Sequence, residues 1–137
     1  MAGELLLDTS ALVSLLDRSQ SHHRACVAFF QKWTRPVITT EAVVTEATHL
    51  LGRVEGGART VLRFVLEGGA VLVPGSREAL ERAEAILRKY ADADLDYADA
   101  TLVVLAEDAG TGHVFTLDRR DFSALRFRGN RAFQVHP

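Results

Sequence analysis

Four carboxylates stand where packing alone gives a carboxylate no reason to be. Asp8 stops the apolar run Leu5-Leu6-Leu7, and Asp118 stops a strand-like run from His113 to Leu117. Glu46 has Ala42 and Val43 one turn before it and Leu50 one turn after, so it projects from the apolar face of a helix, whereas Glu41 does not. Asp99 has Leu102, Val103 and Ala106 at its three-, four- and seven-residue positions and leans toward the core in the same way. Each acid has its own structural explanation: Asp8 or Asp99 as a helix cap, Glu46 as the partner of a buried arginine, Asp118 as the start of a turn. Together they form a different object, because burying unpaired charge is costly. Two carboxylates about 4 Å apart repel by roughly 4 kcal/mol at an effective dielectric of about 20, so a cluster of four either holds protons or holds a cation.

No histidine or cysteine accompanies these acids at metal-ligand spacing, and an oxygen-only site favours Mg²⁺ or Mn²⁺ over zinc. Such a site suits phosphodiester hydrolysis. The cation neutralises the phosphate, orients a water and lowers its pKa, and a second ion can steady the leaving oxygen. A carboxylate oxygen left free takes the water's proton. Arg119 and Arg120, just beyond Asp118, are placed to hold flanking phosphates.

The elements that must position these groups alternate along the chain. Leu5–Leu7 reads as a buried strand, followed by helices over Thr9–Leu16 and Ser21–Trp33, the latter with Ala25, Phe29, Phe30 and Trp33 as its apolar positions. Pro36–Thr39 is a brief strand, Thr40 caps a helix to about Leu51, and a helix over Ala58–Leu66 stops at Gly68-Gly69. Ala70–Val73 is the next strand, and Ser76 caps a helix over Arg77–Tyr90. A helix from about Tyr97 to Ala109 ends at Gly110, His113–Leu117 is a strand, a turn runs through Phe122 and Leu125, and a last strand lies near Ala132–Val135. This alternation predicts an α/β fold with a central, mainly parallel sheet covered on both faces. Parallel strands joined by right-handed crossovers end on one sheet edge, where ligands of open α/β sheets bind, so Asp8 and Asp118 can share a crevice there.

Composition sets the frame. A chain of 137 residues, 47% apolar and 25% charged with three prolines, predicts a single domain over 1–137 with no disordered linker. The net charge of −2 gives no overall basic field. The charge is uneven, however: Arg119, Arg120, Arg126, Arg128 and Arg131 face one acid, Asp121, leaving 11 of the 16 Lys+Arg and 17 of the 18 Asp+Glu before them. The lone Cys26 reads as a buried thiol in a reducing compartment. The N-terminus carries Glu4 and too short an apolar run for a signal peptide or membrane span, so a cytoplasmic protein with no membrane partner is expected.

Several other motifs fail on their own terms. Asp92-x-Asp94-x-Asp96 opens like a calcium loop, but Tyr97 and Val103 stand where glycine and glutamate are required. Glu46-Ala47-Thr48-His49 has the spacing of di-iron bundles in a single copy, where two are needed. His22 and His23 read as a solvated pair. A strand-end aspartate nucleophile would want a second acid where Ser10 stands, and a receiver domain would want a lysine after a late strand, yet the only lysines are Lys32 and Lys89. Two rivals stay open beside phosphodiester hydrolysis: a non-catalytic RNA- or protein-binding module of the same fold, and a metal-dependent small-molecule phosphohydrolase.

The order of the acids resembles that of the PIN-domain ribonucleases, in particular the VapC-type toxins of type II toxin-antitoxin pairs. The resembling segments are LLLDTSALVSLL, TTEAVVTEATHLL, LDYADATLVVLAE and VFTLDRRDF, which together span nearly the whole chain. The resemblance implies a three-layer α/β/α sandwich and a Mg²⁺- or Mn²⁺-dependent endoribonuclease. It implies that Asp8, Glu46, Asp99 and Asp118 form the acidic metal-binding quartet, with Thr9 and Thr116 as polar support. It also implies an RNA substrate, a homodimer, and inhibition by a VapB-like antitoxin. Asp92, Asp94, Asp96 and Asp121 are additional acids, read as solvated loop positions of which one could assist a second metal.

Overall fold

The computed structural model describes residues 3–137. Seven strands and seven helices follow in the order β1 (Leu5–Leu7), α1 (Thr9–Leu16), α2 (His23–Lys32), β2 (Val37–Thr40), α3 (Glu41–Leu51), α4 (Gly57–Leu66), β3 (Val71–Val73), α5 (Arg77–Lys89), α6 (Tyr97–Ala109), β4 (His113–Phe115), α7 (Arg119–Ala124), β5 (Arg126–Phe127), β6 (Arg131–Ala132) and β7 (Gln134–His136).

A parallel strand covered on both faces must be apolar at every position, and the three leucines of β1, all fully buried, make it the middle of the sheet. The sheet has five strands in the order β3-β2-β1-β4-β7, every pair parallel. Leu5 and Leu6 pair with Val37 and Ile38 on one side, and Leu6 and Leu7 with Val114 and Phe115 on the other. From β1 through β2 to β3 the chain steps one way across the sheet; to β4 and β7 it steps the other way. Right-handed crossovers therefore put α1 to α4 on one face and α5 to α7 on the opposite face, the expected three layers. Within them α1 packs on α2 and α3, α3 on α4, and α5 on α6, while α6 crosses β1 and β2. The strand order reverses between β1 and β4, and the crevice beyond their carboxyl ends is the ligand position of such sheets.

Helix ends follow local chemistry. Asp8, Thr40, Ser76 and Asp96 cap α1, α3, α5 and α6 through their side chains, and Gly110 closes α6 at φ 69°, a conformation open to glycine.

Four expectations are revised. The strand expected over His113–Leu117 ends at Phe115, because the next two amides turn to side chains: Leu117 N–H donates to Ser10 Oγ (2.9 Å) and Asp118 N–H to Thr116 Oγ1 (3.0 Å). The turn through Phe122 and Leu125 is the short helix α7 with both side chains buried at its end. The last strand divides into β6, antiparallel to β5 in a separate hairpin, and β7 on the main sheet. Of the expected solvated histidine pair, His22 is exposed, but His23 is half-buried with Nδ1 2.8 Å from the Ser14 carbonyl. In α2, Cys26 takes the buried position and Ala25 is exposed. Among the described residues no helix is long and apolar enough to cross a membrane.

Candidate active site

The end of β1 is the fixed point of the site. Asp8 N–H donates to the Phe115 carbonyl (3.0 Å), so the β1–β4 pairing itself sets where the carboxylate emerges. Asp8 Oδ1 accepts from Thr9 N–H (2.8 Å) and Oδ2 accepts from the Thr116 hydroxyl (2.7 Å). The residue is 2% exposed. Burial pushes its carboxyl from 3.8 up to about 7; the two hydrogen bonds pull against this, and the nearby Asp118 and Glu46 charges add to it.

A hydroxyl pair works against that rise and fixes the carboxylate's orientation. Thr116 has one hydroxyl proton, committed to ionised Asp8, so Ser10 Oγ, 3.2 Å away, donates to Thr116. Ser10 in turn accepts from Leu117 N–H, and Thr116 from Asp118 N–H. The network joins the first turn of α1 to the loop after β4 and aims Asp118 at the same crevice. Ser10 was visible in the sequence only as a residue beside a helix start; its role depends on a contact across 106 positions.

Glu46 and Asp99 arrive from opposite layers. Thr101 Oγ1 donates to the Ala98 carbonyl (2.7 Å), so Thr40 Oγ1 is the donor in the 2.8 Å contact between the two threonines. That contact ties the start of α3 to the first turn of α6. Asp96 caps α6 by accepting from Asp99 N–H (2.9 Å), and Asp99 Oδ2 accepts from Asp96 N–H (3.1 Å). Burial raises Asp99 from 3.8 to about 8, against its bond to the Asp96 amide and with the charges of Asp8 and Asp96 adding. Glu46, half-buried, is also pushed up by burial; Thr9 lowers it, and Asp96 and Asp118 raise it. Asp118 is the most open of the four acids, pushed up by partial burial, then by Asp121 and Asp96.

All four acids singled out in the sequence thus face one crevice at the reversal of strand order, with Thr9 and Thr116 among them. Asp96 is exposed, as expected of a loop acid, yet it caps α6 and its charge acts on Glu46, Asp99 and Asp118. The clue was its spacing three residues before Asp99, the capping-box interval. Asp121 touches the group through Asp118, while Asp92 and Asp94 stay exposed in the loop. Arg120 is exposed and Arg119 donates to the Pro137 carbonyl (2.7 Å). The basic tail is smaller than its count: Arg126 donates to the Ser123 and Leu125 carbonyls, Arg128 to the Glu107 carbonyl, and Arg131 lies over the Phe127 ring. A cleft of about 330 Å³ on another side of α6, between Tyr97, Thr101 and Val73, contains none of the four acids.

The donors present fit a hard divalent cation. They are carboxylate and hydroxyl oxygens, the acids raise one another's pKa values, and Thr9 Oγ1, on a residue only 4% exposed, has no hydrogen-bond partner although it lies close enough to Glu46 to lower it. Among the described residues no three of these side chains are drawn together tightly enough to hold an ion as they stand. A cation among them would offset the repulsion between these charges.

Fold and site together define an open α/β protein with a buried, hydroxyl-braced Asp8 and further acids around it at the carboxyl ends of β1 and β4. Residues 5–128 match the model of the PIN domain, and the chain belongs to the PIN-domain family. It is 36% identical over 135 residues to Ribonuclease VapC26 of Mycobacterium tuberculosis, a span of 97% of this chain and 100% of that protein. Its fold is similar to the crystal structure of M. tuberculosis VapC20, a toxin that cleaves the sarcin-ricin loop (TM-score 0.74, 18% identity, 84% of this chain and 90% of that one). It is similar as well to a toxin-antitoxin complex from Klebsiella pneumoniae (TM-score 0.68, 21% identity, 88% of this chain and 92% of that one).

Proposed function

We propose that this PIN-domain protein, folding as one unit over 1–137, is a Mg²⁺- or Mn²⁺-dependent endoribonuclease, the toxin of a type II toxin-antitoxin pair. The observation that carries the chemistry is Asp8, pinned by Thr9 and Thr116 at the strand-order reversal with Glu46, Asp99 and Asp118 around it. The near full-length likeness to a VapC ribonuclease supports RNA as substrate. The toxin-antitoxin complex among the similar structures supports a VapB-like antitoxin as partner. A homodimer in the cytoplasm completes the reading.

Asp8, Asp99, Asp118 and Glu46 would hold the cation. Bound there, it supplies charge neutralisation at the scissile phosphate and a lowered pKa for the attacking water. Thr116 and Thr9 keep Asp8 ionised and oriented, so that its charge meets the cation in one geometry. The water's oxygen bonds to phosphorus, a site carboxylate accepts the water's proton, and the bond to the leaving ribose oxygen breaks with its electron pair, that oxygen taking a proton from solvent. Arg119 and Arg120 hold phosphates beside the cut.

Incubation of the purified protein with structured RNAs in Mg²⁺ or Mn²⁺ tests this. Internal cleavage that disappears with EDTA is expected. Binding without cleavage under all these conditions would leave the non-catalytic module in its place, and release of phosphate from small monoesters alone would leave the phosphohydrolase.

A further inference from the structure

The β5–β6 hairpin folds back on the end of the sheet opposite the carboxylates. It closes one side of an open cleft of about 580 Å³ lined by Arg128 and Arg131, by His113 and Gln134 at the starts of β4 and β7, and by the glycines that end α6. Ala109, on the rim of this cleft, lies ten residues beyond Asp99 on α6, about 15 Å along the helix.

Two cations line this cleft without a carboxylate between them. No carboxylate among the described residues lines the cleft; Glu107 and Asp108, at the end of α6, are both paired with Arg82, at 3.1 and 2.8 Å. Among the described residues neither Arg128 nor Arg131 forms an ion pair, and each is held by a contact that leaves its charge uncompensated. Arg128 donates Nε–H to the Glu107 carbonyl (2.9 Å), and Arg131 lies 4.9 Å over the Phe127 ring. Arg128 has φ 45°, a backbone conformation that side chains rarely adopt, and its guanidinium lies where a Cβ on Gly110 would come within 2.9 Å of it. The hairpin accepts a strained residue and α6 ends in a glycine, and the product is a guanidinium laid over the helix end. Backbone strain of this kind concentrates at binding sites.

We propose that this cleft binds a phosphate of the RNA substrate outside the segment held at the acids, so that the strand is gripped at both ends of the sheet. Two guanidiniums with free N–H donors are the geometry for phosphate oxygens, and Gln134 offers a neutral donor beside them. The choice of RNA as bearer of the phosphate rests on the ribonuclease reading above. The rise of about 15 Å from Asp99 to Ala109 is the shortest span the strand must bridge, so this phosphate lies several nucleotides from the cut.

The test is a pair of substitutions, Arg128→Gly and Arg131→Gln. Arg128→Gly suits the positive φ, so the double variant is expected to fold, and its melting curve and far-UV circular dichroism check this before binding is compared. Binding of a single-stranded RNA of about 20 nucleotides is measured in EDTA against salt concentration. The slope of log K against log salt is expected to flatten by about 1.4 in the double variant, about 0.7 for each lost contact. Cleavage of a dinucleotide, too short to span about 15 Å, is expected to be unchanged. An unchanged salt slope overturns the proposal, and so does equal loss on the short substrate. A stabilisation by inorganic phosphate that the double variant loses, with the RNA slope unmoved, also overturns it, because the cleft then takes only small anions. If the wild type cuts no RNA but the slope still flattens, the distal phosphate site stands and the ribonuclease reading fails.

Discussion

Thr116 Oγ1 lies 2.7 Å from Asp8 Oδ2 and gives it its only proton, across 108 positions of chain. The bond favours the ionised carboxylate, which burial opposes. Thr116→Val removes it and raises the Asp8 carboxyl further. The expected result is a 10- to 100-fold loss in divalent-ion affinity and cleavage rate, roughly the cost of losing a residue that orients a ligand. The acid limb of the pH–rate profile should move to higher pH, and Thr116→Ser should restore both. Titration calorimetry with Mn²⁺ and rate measurements across pH check this; wild-type behaviour in the valine variant would refute it.

Without a cation, the site costs stability as pH rises. Below pH 4 Asp8 is protonated in both folded and unfolded chains. Above that the unfolded chain releases its proton while the folded chain holds it to about 7, so stability is full below the unfolded pKa and is lost as pH climbs through the folded one. The penalty for charging Asp8 is on the order of 4 kcal/mol. Asp99, held up to about 8, acts in the same direction. In EDTA the melting temperature should fall by on the order of 10 °C between pH 5 and pH 8, and Mg²⁺ should reverse most of the fall.

Asp8→Asn separates function from folding. Cleavage should vanish because a metal-binding charge is gone, whereas the side chain keeps its volume and an oxygen for the Thr9 amide. In EDTA at pH 8 the variant should melt above the wild type, and the gap should narrow as pH falls and close below pH 4. A variant less stable than wild type at pH 8 would mean that the carboxylate is not strained by its burial.

Arg119 and Arg120 are adjacent but differently engaged. Arg119 donates to the Pro137 carbonyl, while Arg120 is exposed. Arg120→Gln should flatten the salt dependence of RNA binding by about 0.7, as one released phosphate contact requires. Arg119→Gln should cost less binding and add a loosening of the chain end, seen as faster amide exchange in β7.

Much of this fold was legible because its signals are local. The uninterrupted Leu5–Leu7 run states that β1 is buried on both faces, and the helical spacing around Glu46 and Asp99 states which way each acid leans. What escaped depends on contacts between distant segments. Asp96 looks like one of several acids in a solvated loop until the crossing of α3 and α6 brings Glu46 to it. The strand after Gly112 looks five residues long until Ser10 and Thr116 claim the amides of Leu117 and Asp118. The arginines beyond residue 125 look like a solvated cationic tail until the hairpin spends part of their donors on carbonyls. Charge counts record which residues are present, and only the folded backbone decides what each one faces.

The 2.8 Å contact between Thr40 and Thr101 couples a helix from the first third of the chain to one from the last, and Asp8 waits for a hydroxyl at position 116. Chains are synthesised from the N-terminus, and early segments fold first. A nascent chain that stops short of Thr116 therefore holds Asp8, Glu46 and Asp99 without the hydroxyl that braces Asp8 and without Asp118, so the acid cluster is complete only after β4 has been made.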